Sequence, residues 1–306
     1  MGEFEMIDDI IRDLPRGADV VLGPGDDCAV LRPEGDLVIT TDALIEGVHF
    51  KRQWSPAEAV GRKTVAVNVS DVEAMGAKPS SIVVTLAVPK DLDPQWVADF
   101  TQGVRAECEL AGVSLVGGDV SSAPVICLSG TAVGSLQGRA PLLRSGAGVG
   151  DIVAYRGRLG VAGAGLAALS RGFRSPIEAV REQQCPTVPY GQGAVAARAG
   201  ATAMMDVSDG LIQDLGHIAR ASGVAIDIDT TRLELPDPVV RVAAATGRSG
   251  LSFVLTGGED HALAGTFPAG TALPDGWRRI GRVLEGDGVL VDGAGFEGAA
   301  GWDHFS

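Results

Sequence analysis

The sequence predicts an α/β (α+β) chain in two domains. Three observations carry this expectation. The 306 residues exceed the usual size of one domain. Apolar residues switch repeatedly between the period of helices and that of strands. Near the middle, Ser145-Gly146-Ala147-Gly148-Val149-Gly150 breaks the pattern. The expected domains are therefore 1–148, strand-rich, and 149–306, in which helices and short strands mix.

Each element has a local reason. Residues 3–14 place Phe4, Ile7, Ile10, Ile11 and Leu14 on one helical face. Val38–Thr41 reads as a strand ending at Asp42. Ser55-Pro56-Ala57-Glu58 starts a helix, with Ser as cap and Pro in the first turn, and the helix runs to about Met75. Ile82–Val88 is a strand. Asp93-Pro94 opens a helix that buries Trp96, Val97, Phe100, Val104 and Cys108 and stops at Gly112. Val113–Val116 is a strand running into Gly117-Gly118-Asp119, and Val125–Val133 is another. In the second half, Ile152–Tyr155, Ala225–Ile228, Phe253–Leu255 and Ile280–Val283 read as strands. Gly163–Ser170, Gln192–Ala199 and Leu211–Ala221 read as helices.

Composition narrows the function. With 45% hydrophobic and 21% charged residues the chain can bury a core, which excludes a disordered protein. Twenty-five Lys and Arg stand against 39 Asp and Glu, for a net charge of −14, a field that repels nucleic acid. A bound divalent ion can reverse that sign locally. MGEFEMIDDIIRDL lacks the basic start and apolar centre of a secretory signal. The longest apolar runs are too short to cross a membrane. Cys28, Cys108, Cys127 and Cys185 form no CxxC pair and read as buried free thiols. The expectation is a cytoplasmic protein with no membrane partner.

The informative feature is where the acidic residues fall. They recur in Gly25-Asp26-Asp27, Thr40-Thr41-Asp42, Asn68-Val69-Ser70-Asp71, Gly117-Gly118-Asp119, Asp206-Val207-Ser208-Asp209 and Gly257-Gly258-Glu259-Asp260, mostly after an apolar run. Ends of buried elements share a rim, where open α/β folds bind ligands. One such Asp is ordinarily a turn or cap residue, and Ser208-Asp209 can cap the helix at Leu211. The whole set, without Lys or Arg partners, repels itself unless a cation sits among it. Only oxygen donors recur, which favours Mg²⁺ over zinc. No GxxxxGK[ST] is present, and Gly160–Gly165 does not match GxGxxG. A polyphosphate site must then use Mg²⁺, backbone amides and an arginine, with Arg144 at the domain boundary the leading candidate.

At these residues the sequence resembles the thiamine-monophosphate kinase family. That family belongs to the ATP-binding superfamily of aminoimidazole-ribonucleotide synthetase and selenophosphate synthetase. The resemblance spans GDDCAVL (25–31), TDALIEGVHF (41–50), AVNVSDVEAMGAKP (66–79), LVGGD (115–119), LLRSGA (142–147), MDVSDGLIQDLGHIA (205–219), LTGGEDHAL (255–263) and WDHF (302–305). GVHF, GGED and the terminal WDHF are the specific parts.

The resemblance implies transfer of the ATP γ-phosphoryl group to thiamine monophosphate, giving thiamine diphosphate, directly and with several Mg²⁺ ions. It implies metal ligands Asp27, Thr40, Thr41, Asp42, Asp71, Asp119, Asp206 and Asp209. It implies ATP contacts at Gly118, Asp119, Arg144 and Ser208, and substrate contacts at His49, Glu259 and Trp302. It further implies an N-terminal mixed sheet through which two chains form a homodimer, and a C-terminal domain completing the site. A phosphate acceptor is already ionised, so no general base is needed. Trp302 offers a π-face to a cationic thiazolium, and Glu259 can accept from an aminopyrimidine. Two departures stand out: His261 replaces the Tyr often found there, and GRLGVAGAGL (157–166) lacks the family's usual Asp. The alternatives are another ATP-dependent enzyme of the superfamily, a metal-dependent phosphohydrolase, and a non-catalytic nucleotide or metal sensor.

Overall fold

A computed structural model of the chain describes residues 7, 9–12, 14–24 and 28–302. Asp27, residues 3–6, Asp8 and Asp13 of the segment 3–14, and the last three residues of the WDHF motif lie outside them. The chain divides into two compact units, residues 1–72 with 77–140, and residues 73–76 with 141–306.

The first unit holds a two-stranded ribbon, β1 (Val20–Leu22) and β2 (Val30–Leu31). Its main sheet is built from β3 (Leu37–Ile45), β4 (Lys78–Val88), β5 (Ser114–Ser122) and β6 (Cys127–Ser135), in the order β3-β6-β4-β5. β4 and β5 are parallel and the other pairs antiparallel, so the sheet is mixed as expected. Two helices, α1 (Ala57–Ala74) and α2 (Pro94–Ala111), supply the apolar residues it packs against. The ends of α2 follow from local chemistry. The Asp93 carboxylate accepts from Gln95 N–H, Pro94 fills the first turn, and Gly112 closes the helix at φ +69°, where a side chain would be strained. The helices cross at glycines: a Cβ on Gly61 would lie 2.1 Å from Phe100 O, and one on Gly103 1.9 Å from Glu58 O. Ile82, Leu86 and Leu128 are fully buried, whereas Ile39 on the opposite face is 72% exposed.

The second unit is a seven-stranded sheet with helices. Its strands are β7 (Ile152–Arg156), β8 (Ala203–Val207), β9 (Ala225–Ile228), β10 (Ala262–Phe267), β11 (Arg278–Leu284), β12 (Gly288–Val291) and β13 (Ala294–Gly295), ordered β13-β12-β9-β11-β7-β10-β8. Its helices are α3 (Val161–Ser170), α4 (Ile177–Gln184), α5 (Gln192–Arg198), α6 (Leu211–Ser222), α7 (Asp237–Thr246) and α8 (Gly250–Thr256). Met205 packs with Val153, Leu215 and Ile226, while its neighbour Met204 packs with Ala154, Leu263 and Phe267. Both faces of β8 are thus covered by apolar residues.

Several expectations are corrected. Asp42 and Asp119 do not end their strands but lie inside β3 and β5, because the long ladders on β6 and β4 carry those strands onward. Phe253–Leu255 belongs to helix α8, since a three-residue apolar run carries no period of its own. Helices α4 and α7 were not anticipated. Cys108 is buried, but Cys28 is exposed and Cys127 and Cys185 are intermediate; all four are free thiols. Among the described residues no helix is long and apolar enough to cross a membrane.

Candidate functional site

In the first unit, α1 presents Asn68 and Asp71, one turn apart, to β3. Thr40 Oγ1 donates to Asp71 Oδ2 at 2.7 Å, and the Asp42 N–H donates to Asn68 Oδ1 at 2.8 Å. Asn68 is buried, so its amide needs partners on both sides; its Nδ2 donates to Thr64 O at 2.8 Å. Only glycine at position 130 leaves room for this, because a Cβ there would stand 2.3 Å from Asn68 Nδ2. The structure therefore brings Thr40, Asp42 and Asp71 together on one side of the sheet. Thr41 and Asp119 fall in rows with Thr131 and Thr85, on the opposite face. Thr41 Oγ1 donates to Gly130 O at 2.7 Å.

His49 sits in the turn after β3. The Ile45 N–H donates to its Nδ1 at 3.0 Å, so in the neutral ring Nε2 carries the proton and is the donor it can offer. Buried Lys63 holds this turn through a bond from Nζ to His49 O at 3.2 Å. Gly118 and Asp119 line a mostly apolar pocket together with Ile10, Phe100, Thr101 and Leu115.

In the second unit the site is organised by the turn joining β8 to α6. Asp206, on β8, is buried and its Oδ2 lies 2.9 Å from His261 Nδ1. Gly210 caps α6 at φ +133° with no side-chain cap. Ser208 and Asp209 thus do not serve as the side-chain cap that is the alternative to a ligand role, and Asp214 does that work from inside the helix. Its Oδ2 accepts from the N–H groups of Asp209 (3.1 Å) and Gly210 (3.0 Å). Burial, then the nearby charges of Asp206 and Asp209, push the Asp214 carboxyl up to about 7 despite those bonds.

Two further segments close on the same turn. The Glu259 N–H donates to Ser208 O at 2.6 Å, and the Trp302 N–H donates to Asp209 O at 3.0 Å. Gln213 Nε2 bridges Trp302 O (2.7 Å) and Asp209 Oδ2 (3.2 Å). Ser208, Asp209, Glu259 and Trp302 are thereby gathered. Trp302 is held by its backbone while its side chain stays outside the core, the residue being 54% exposed. Glu259 has φ +69°, an uncommon conformation for a non-glycine residue. Asp260 points inward and accepts from the N–H groups of Gly160 and Ala162, so the glycine-rich turn at 157–166 has its helix terminus filled by a carboxylate. That terminus is not a phosphate site. Arg144 lies beside the far end of α6, its carbonyl accepting from Ser222 Oγ at 2.8 Å.

Sequence reasoning did not single out Asn68, Asp214 or His261 as supports of the site. The first two stand inside motifs already noted, NVSD and SDGLIQD; Asp214 acts on residues four and five positions away, whereas Asn68 acts on Asp42, 26 positions away. Among the described residues no three of His, Cys, Asp or Glu lie close enough to hold one metal ion between them. The donors present are oxygens, a set suited to a hard divalent ion.

Comparison with known proteins follows the same division. Residues 25–136 match the family model for the AIR synthase related protein N-terminal domain, and 148–292 match that for its C-terminal domain. The chain is 44% identical to thiamine-monophosphate kinase of Mycobacterium tuberculosis, covering 100% of this chain and 92% of that one. Its fold matches thiamine-monophosphate kinase from Stenotrophomonas maltophilia with a TM-score of 0.82 at 33% identity, covering 95% of each chain. It matches AaThiL complexed with AMPPCP and TMP with a TM-score of 0.81 at 34% identity, covering 99% of this chain and 96% of that one. Full-length similarity at this level, on a fold that gathers Ser208, Asp209, Glu259 and Trp302, makes this chain a member of the thiamine-monophosphate kinase family.

Proposed function

We propose that the protein transfers the γ-phosphoryl group of ATP to the phosphate of thiamine monophosphate, forming thiamine diphosphate and ADP. The observation that carries this reading is the 0.81 TM-score, over 99% of the chain, to a relative complexed with AMPPCP, an ATP analogue, and TMP. In this reading the apolar pocket beside Gly118 and Asp119 receives the purine, and Arg144 and Ser208 contact the phosphates. Its lining suits a flat apolar ring better than a charged group. His49 donates through Nε2 to the acceptor phosphate, Glu259 accepts from the aminopyrimidine, and Trp302 stacks on the thiazolium.

The proposed metal ligands are Asp27, Thr40, Thr41, Asp42, Asp71, Asp119, Asp206 and Asp209; Thr40, Asp42 and Asp71 share one side of the sheet and Thr41 and Asp119 the other, so in this reading they serve separate ions. The Asp and Thr residues proposed, all oxygen donors, support Mg²⁺, which typically takes one or two carboxylates and completes its shell with phosphates and water. When bound, Mg²⁺ supplies charge neutralisation between two anionic phosphates. The chain's own work is positioning. Thr40 holds the Asp71 carboxylate, Asn68 holds the Asp42 backbone, and His261 holds Asp206. Because the acceptor is ionised, transfer proceeds directly, with no phosphoenzyme. The uncovered face of the β3-β6-β4-β5 sheet, with Ile39, Leu37 and Val83 exposed, supports a homodimer formed there. The cytoplasm, where ATP is made, is the proposed compartment.

The test is to follow ADP release with ATP and Mg²⁺, with and without thiamine monophosphate. A kinase releases ADP only with the acceptor; acceptor-independent release identifies a phosphohydrolase.

A further inference from the structure

Along α6 runs an open cleft lined also by Phe296, Ala300 and Trp302. Asp209 stands at one end. Gln213, Gly216, His217 and Arg220 follow it on one helical face, Leu211 to Arg220 spanning about 13 Å of helix axis. At the far end His217 and Arg220 line the cleft, and Arg144 adjoins them through its carbonyl, which accepts from Ser222 two residues past Arg220. His217 is near enough to the Arg144 and Arg220 guanidiniums to feel both charges. After burial, these hold its imidazole below the usual range, with Asp209 pulling the other way. Both arginines are exposed, and among the described residues neither forms an ion pair with a carboxylate.

In a chain of net charge −14, two unpaired arginines and a histidine at one end of a cleft are a local reversal of sign. Left to themselves they repel; a dianionic group between them removes that repulsion and can take forked hydrogen bonds from guanidinium. We propose that Arg220 and His217 extend the site of Arg144, and that the three together hold a phosphate group of a bound substrate at the far end of the α6 cleft. This rests on the kinase reading, in which Arg144 contacts phosphate. The group belongs either to ATP or to thiamine monophosphate. The competing explanation is that Arg220, in the last turn of α6, merely complements the helix dipole.

Arg220→Ala and His217→Gln, made singly in the full chain, separate these. The ATP analogue AMPPCP and thiamine monophosphate are titrated in turn by calorimetry, beside steady-state KM values and a thermal melt. The expected result is a dissociation constant raised about tenfold in Arg220→Ala for one of the two probes only, since a charge-assisted hydrogen bond is lost. The affected probe names the phosphate, and the melting temperature stays within a degree or so of the parent, as for most surface changes. Unchanged affinity for both probes, or a lowered melt with both weakened together, overturns the proposal. If the unaltered protein makes no thiamine diphosphate, the kinase reading fails separately. Tripolyphosphate then serves as the probe: weaker binding by Arg220→Ala supports the anion site, and equal binding removes it.

Discussion

Trp302 and Glu259 reach the same turn by different routes, one through Asp209 O and the other through Ser208 O. Their side chains are therefore placed by backbone bonds that substitution leaves intact. Trp302→Ala is expected to weaken thiamine-monophosphate binding by about 0.5–2 kcal/mol, the worth of one cation–π contact, with ATP affinity unchanged. Separate titrations beside a thermal melt check this, and a joint loss of ATP binding and stability would instead make Trp302 a packing residue. Asp71→Asn can still accept the Thr40 hydroxyl bond, so the fold should survive. The lost charge should lower kcat about 100-fold, or about 2.7 kcal/mol, in an assay at saturating ATP and Mg²⁺. Full turnover by that variant would remove Asp71 from the metal set.

The elements explain why those residues meet. Helix α1 can lay Asn68 against β3 only over a glycine, and Gly130→Ala drives a methyl group into an amide bonded on both sides. The expected cost is about 1–3 kcal/mol, read as a lowered melting temperature. The N-terminus of α3 offers a pH test. Burial pushes Asp260 up to about 8, above its unfolded value. Its protonated form binds tighter in the folded state, so this stabilisation is full at low pH and is lost as pH rises through about 8. Asp260→Asn should flatten the stability profile between about pH 4 and pH 8; a slope equal to the parent's would contradict this. Helix α2 was legible from Asp93-Pro94 and Gly112 alone, because its caps are local. Helix α8 was not, because Phe253–Leu255 gives no period, and the extent of β3 past Asp42 is set by a partner strand almost ninety residues away. The contacts of Asn68 with Asp42 and of His261 with Asp206 are long-range too; motifs flagged the residues, and only the fold supplied the pairing.

For the whole molecule, an acidic chain must bring two phosphorylated substrates together. The oxygen donors and Arg144 are the features legible in sequence that make this feasible. Chelation of divalent metal is accordingly expected to abolish turnover while the far-ultraviolet spectrum is retained; activity in excess chelator would contradict the proposed role of Mg²⁺. The β3-β6-β4-β5 sheet face predicts a second copy, and a monomer by sedimentation at micromolar concentration would contradict it. The central claim is direct phosphoryl transfer to thiamine monophosphate. It is tested most directly by supplying ATP labelled with heavy oxygen in the γ-phosphoryl group and weighing the products. The expected result is thiamine diphosphate carrying the label in its terminal phosphate, formed one for one with ADP. Label recovered only as inorganic phosphate, with thiamine monophosphate unchanged, would contradict the claim.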